Sequence, residues 1–167
     1  LQELIEKDIN GLVIDLRGNS GGLLSNSINI LDKLTERGLR LLNTRGRIPK
    51  SNRQMNSRRA PSLDSEIPIA VLINRSSASA SEIVSGVLQD LDRAVIIGER
   101  SYGKGLVQSM YNLNDTTTVK VTTAKYYTPS GRLIQKEDYL DNGFLTDGLD
   151  EKDSLFTTRG GRKVKGG

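Results

Sequence analysis

The sequence predicts an α/β domain with a mainly parallel central sheet flanked by helices, plus additional β-strands. Short, nearly continuous apolar runs recur at residues 12–16 (LVIDL), 67–73 (IPIAVLI) and 94–97 (AVII), and each is followed by a turn rich in glycine or serine. After the first two turns, apolar residues return at helical steps of three and four. Runs this short and apolar read as strands buried on both faces. Strand, turn, helix, strand is the rhythm of a parallel sheet joined by right-handed crossovers.

The elements follow in order. Residues 1–7 (LQELIEK) carry Leu1, Leu4 and Ile5 at helical spacing and end before Gly11. After the turn RGNSGG at 17–22, residues 23–34 place Leu24, Ile28, Leu31 and Leu34 on one helical face. A strand is expected at 39–42. The stretch 44–62 holds Arg45, Arg47, Lys50, Arg53, Arg58 and Arg59 with no acidic residue, and reads as a solvated loop, since no aromatics are interleaved for base stacking. A second helix is predicted over 79–91. A longer β-branched strand covers 117–127, turns at Thr128-Pro129-Ser130-Gly131 and continues through 132–135. Residues 1–136 are therefore assigned to one core domain, and the polar, glycine-punctuated residues 137–167 to a C-terminal segment read as loop or as the stub of something removed.

Composition narrows the chemistry. The 167 residues contain no cysteine and no histidine, which excludes disulfides, thiolate nucleophiles, Ser-His-Asp and Cys-His mechanisms, and histidine or thiolate metal sites. Acid–base work must fall to Asp, Glu, Lys or Tyr. The net charge of +4 is spread among 20 acidic residues, so nucleic acid is not indicated as a partner. No apolar run reaches the ~18 residues of a membrane span. The chain opens on Leu1 rather than Met, as a fragment would, and membrane association is expected only through segments outside it.

Three segments lie just after predicted strands, where open α/β sheets gather ligands: RGNSGG (17–22), SSASASE (76–82) and SYGKGLVQ (101–108). Residues 98–104 spell most of a phosphate-cradling loop, G-x-x-x-x-G-K, but position 105 is Gly where such a loop needs Ser or Thr for magnesium. Lys104 also fits a general base. An ordinary lysine, with a pKa of ~10.4, is almost wholly protonated at neutral pH, and bringing it near neutrality by burial costs about 4 kcal/mol. The flanking Gly103, Gly105, Leu106 and Val107 suit a dry, close-packed site. Gln108 is a neutral group able to orient the amine if the segment curls back. A serine at a strand-to-helix turn sits where free backbone N–H groups can stabilise an oxyanion, and Ser76, Ser77, Ser79 and Ser81 all qualify. The glycines of RGNSGG can bring further N–H groups close to a substrate.

Together the stretches 11–24 (GLVIDLRGNSGGLL), 71–108 (VLINRSSASASEIVSGVLQDLDRAVIIGERSYGKGLVQ) and 122–135 (TTAKYYTPSGRLIQ) resemble the carboxyl-terminal processing, or tail-specific, proteases, a Ser-Lys peptidase family, S41. The resemblance implies a crotonase/ClpP-like core, with Ser79 as nucleophile, Lys104 as base, Gln108 orienting the lysine, and the N–H groups of Gly21 and Ala80 as oxyanion hole. Glu82 and Asp90 match family positions and are read as supports on the helix. No cofactor is implied. The partners would be protein or peptide substrates engaged by their C-terminal tails, and the place the bacterial periplasm or cell envelope. The family's PDZ domain has no counterpart in this chain. Two rivals stand: a noncatalytic peptide-binding module of the same fold, and a P-loop-like nucleotide-binding protein.

Overall fold

The computed structural model describes residues 1–135, 138–139, 145–146 and 155–165. The predicted order holds through the core. Helix α1 (Gln2–Ile5) leads to β1 (Leu12–Asp15), α2 (Leu24–Leu34) and β2 (Arg40–Arg45); after β3 (Arg53–Asn56) come β4 (Ile69–Ile73), α3 (Ala80–Asp90) and β5 (Val95–Gly98). The hairpin β6 (Leu106–Asn112) and β7 (Thr118–Tyr127) follows, then the short strands β8 (Asp138–Tyr139), β9 (Leu145–Thr146), β10 (Leu155–Thr157) and β11 (Lys163–Lys165).

Strands β1, β4 and β5 form a parallel sheet in the order β1-β4-β5, with Val71 in register between Ile14 and Ile96. Its connections run through α2 and α3, which pack on each other. The apolar stripe of α2 (Leu31, Leu34) and that of α3 (Ile83, Val84, Val87, Leu88) close over Ile69 and Val71 to make the core. The additional strands build a separate antiparallel sheet, β3-β2-β7-β6.

Three expectations are corrected. Burial of the parallel strands on both faces is found on one face only: alternate residues Val13, Val95 and Ile97 are 64%, 60% and 50% exposed, because the described helices cover the opposite face. The basic stretch 44–62 is not a plain loop. Its Pro49–Ser51 forms a 3-10 turn and β3 pairs antiparallel with β2. Thr44 clamps this hairpin, donating from Oγ1 to the Ser51 carbonyl (2.6 Å) and accepting from the Arg53 N–H (3.1 Å), while Arg45 lies 4.7 Å above the Tyr127 ring. β3 is an edge strand, where charged side chains are normal and hide the period-two pattern.

The tail, expected as loop, also contains a docked hairpin, β10–β11. The Arg159 N–H donates to the Asp90 carbonyl (2.8 Å), and Arg162 Nε donates to Asp92 (2.7 Å). The tail also holds the antiparallel pair β8–β9, and residues 137, 140–144, 147–154 and 166–167 of the 137–167 assignment lie outside the described residues. Burial works against ionisation of Asp92, but the Thr158 hydroxyl, the Gly160 N–H and Arg162 outweigh it and hold the carboxyl below its ordinary 3.8. The charged form is therefore favoured in the docked state.

Two outcomes follow for measurement. Leu88→Ala, at a fully buried site between the helices, should cost about 2–5 kcal/mol in urea denaturation, whereas Leu23→Ala, 67% exposed, should stay within about 0.5 kcal/mol. Docking of the tail hairpin should be complete above the unfolded carboxyl's value and weaken as the pH falls through the lower folded one. The Gly160 amide resonance should then titrate with a midpoint below 3.8, and Asp92→Asn should remove that transition.

Candidate active site

The three glycine- and serine-rich segments meet at the carboxyl ends of β1, β4 and β5. Side chains at the base of each turn tie the first two together. Ser77, fully buried, donates from Oγ to the Leu16 carbonyl (2.7 Å), and the Gly18 N–H donates to Asn74 Oδ1 (2.9 Å). The Asn19 carbonyl accepts from the Ala78 N–H (3.0 Å) and from Ser81 Oγ (3.1 Å).

These bonds separate the four serines that the sequence left open. Ser77 and Ser81 are buried and spent on the scaffold, and Ser76 is exposed before the helix. Ser79 is half-buried, stands at the N-cap of α3, and has φ +54° with ψ −114°. A left-handed φ is uncommon for a non-glycine residue, and such strain persists only where surrounding structure imposes it. It places Ser79 at the helix start beside Ala80, whose N–H as first helical residue has no acceptor within the helix.

Gly21 is the counterpart across the cleft. With φ +102°, it approaches so closely that a Cβ there would lie 2.6 Å from the Ala78 oxygen and 2.9 Å from Ser79 Cβ. Only glycine fits. Its N–H donates to Asn19 Oδ1 (2.9 Å), so this expected oxyanion donor is held by a neighbouring side chain.

The lysine segment is fastened by Glu82, one turn into α3 and only 4% exposed. Its Oε2 accepts from the Ser79 N–H and the Lys104 N–H, both at 2.8 Å, and its Oε1 from Ser101 Oγ (2.7 Å) and the Gly103 N–H (2.6 Å). Since both backbone nitrogens touch one oxygen, those of Ser79 and Lys104 are no farther apart than twice that distance. The Tyr102 N–H adds a bond to the Ser77 carbonyl (3.0 Å).

Two expectations about the lysine differ. The Lys104 side chain is exposed rather than dry, because Gly103 and Gly105 are the buried residues of this segment. Gln108 does not curl back: it lies in β6 opposite Thr122, beside a register shift, exposed and without a hydrogen bond to Lys104. The phosphate-loop reading is overturned, since the residue after Gly105 begins strand β6 and not a helix whose N-terminus could receive phosphates. Sequence reasoning missed Gln135, whose Oε1 accepts from the Gly105 N–H (2.8 Å), and no local pattern announces a contact spanning that much chain.

Among the other titratable groups, Arg17 folds back on Asp15 (2.7 Å) and its hydrogen bonds hold that carboxyl down at about 2, so Asp15 carries no proton near neutrality. Among the described residues, no group of three or more acidic side chains could hold a metal ion.

Residues 1–143 match the model of Peptidase family S41. The chain belongs to that family. The carboxy-terminal-processing protease of Bartonella bacilliformis is 48% identical over 137 residues, 81% of this S41 chain and 31% of that protein. The chloroplastic C-terminal processing peptidase of Tetradesmus obliquus is 43% identical over 136 residues, 80% of this chain and 28% of that protein. Among solved structures, a photosystem II D1 C-terminal processing protease superposes with a TM-score of 0.71 at 41% identity, over 80% of this chain and 34% of that one. This S41 chain thus spans about a third of the length of the relatives it matches.

Removing the shared carboxylate should damage two loops of this S41 chain at once. Glu82→Ala leaves three amides and a hydroxyl without their acceptor, and should cost at least about 3 kcal/mol in urea denaturation. Gly103 and Lys104 amide exchange should accelerate before that of the α2–α3 core.

Proposed function

We propose that this chain carries the catalytic machinery of a serine endopeptidase that cleaves protein substrates near their C-termini through an acyl-enzyme. The observation that carries this reading is the strained Ser79 at the N-terminus of α3, joined through one carboxylate to the backbone of Lys104. Ser79 Oγ attacks the peptide carbonyl, and Lys104 Nζ takes its proton and returns it to the leaving amine. The Ala80 N–H and the Gly21 N–H receive the oxyanion, the substrate oxygen replacing Asn19 Oδ1 at Gly21. Water then cleaves the ester. Lys104 becomes dry enough for this task once substrate, or more of the polypeptide, covers it. Gln108 would orient the amine in that covered state.

The names of the relatives support the substrate class, protein tails, and the bacterial ones accord with a periplasmic or cell-envelope setting. The exposure of both Lys104 and Gln108 favours one second reading, a peptide-binding module of the same fold without turnover.

A fluorophosphonate probe separates the two. In the full-length protein it should label Ser79, located by peptide mass spectrometry, and Ser79→Ala should abolish the adduct. Peptide cleavage by Ser79→Ala or Lys104→Ala should fall at least about 10³-fold. Near-normal turnover by either variant would remove the role assigned to that residue.

A further inference from the structure

We propose that Gln135 is a positioning residue for Lys104: its carboxamide oxygen fixes the backbone from which the base projects. This rests on the reading of Lys104 as the base of Ser79. Three consecutive amides, those of Gly103, Lys104 and Gly105, all donate to side-chain acceptors. Glu82 takes the first two and Gln135 Oε1 the third. The Gly105 carbonyl in turn accepts from the Tyr126 N–H (2.8 Å), so the residue after the lysine is gripped on both sides. A Cβ at position 105 would lie 2.4 Å from the Gln135 nitrogen, which shows how closely the two segments are packed.

The three residues before Gln135 are each held in place. The Ile134 N–H bonds the Tyr126 carbonyl (3.3 Å), Leu133 bridges to Tyr127, and Arg132, nine-tenths buried, forms an ion pair with fully buried Asp90 (2.5 Å). Asp90 Oδ2 also accepts from the Ser130 N–H (3.0 Å). Asp90 ends the helix whose N-cap is Ser79. One rigid helix therefore carries the nucleophile at its start and, at its end, anchors the segment that delivers Gln135 to the lysine.

The position of Lys104 Nζ depends on this grip. The side chain is exposed and, among the described residues, has no hydrogen-bond partner, so the backbone aims it. Glycines on both sides leave that backbone soft unless its amides are held. A displacement of ~1 Å in such a site lowers turnover about 10²-fold.

The experiment uses the full-length protease with a peptide substrate and three variants. Gln135→Leu, similar in size but without an acceptor, should lower kcat about 10²-fold with KM changed less than about twofold. Acylation of Ser79 by the fluorophosphonate should slow in parallel. Gln135→Glu keeps an acceptor oxygen and should recover most of kcat, with the rising limb of its pH–rate profile displaced to higher pH by the added negative charge near the amine. Turnover by Gln135→Leu within threefold of the parent, or a loss that Gln135→Glu does not repair, overturns the proposal while Lys104→Ala remains inactive. An active Lys104→Ala overturns the reading beneath it instead, and the proposal with it.

Discussion

A single buried carboxylate holds the candidate site together. Glu82 lies on the first turn of α3, and its two oxygens collect four donors from the serine turn and the lysine segment. An ionised carboxylate is costly to bury unless its lone pairs are satisfied, and each N–H it accepts would be costly to leave without an acceptor. The two requirements meet in one arrangement, which ties a turn after β4 to a segment after β5. The same two segments are also joined by the Tyr102 N–H to the Ser77 carbonyl and by an exposed ion pair between Arg75 and Glu99 (3.2 Å).

Helix α3 extends this constraint through the domain. Its apolar side closes the core with α2, its N-terminus presents Ser79, and its last residue, Asp90, receives Arg132 and the tail hairpin. A buried ion pair gains little over a well-packed apolar pair, but losing one partner leaves a charge stranded, so its main effect is to specify one docking geometry. The specified object is the turn at 128–131 and the strand-like segment that follows it. Arg132 keeps one donor, Nε, buried without a partner, even though its other nitrogens are bonded to Asp90, Gln89 and the Lys165 carbonyl.

The parts legible in the sequence were those governed by short-range rules. The three apolar runs became β1, β4 and β5, and the periodic stretches became α2 and α3. The basic stretch concealed β3 because an edge strand tolerates charge at nearly every position. The tail concealed β10 and β11 because their hold on α3 runs through Asp90 and Asp92, far away in the chain. The surroundings of Lys104 were misjudged for a similar reason: its glycine and apolar neighbours are buried or half-buried, yet they pack with their own backbone and leave the lysine outside.

By itself the sequence determined the α/β class, the exclusion of cysteine and histidine chemistry, and the three loops where a site would gather, since these depend on residue type and on spacing within a few positions. Only the tertiary structure decided which of four serines stands strained at the start of α3, that Gly21 stands against it, and that Glu82 and Gln135 hold the lysine's backbone. Those facts rest on hydrogen bonds between segments brought together by the parallel sheet. A hydrogen bond requires its partners within about 3 Å, and separation along the chain does not encode that distance.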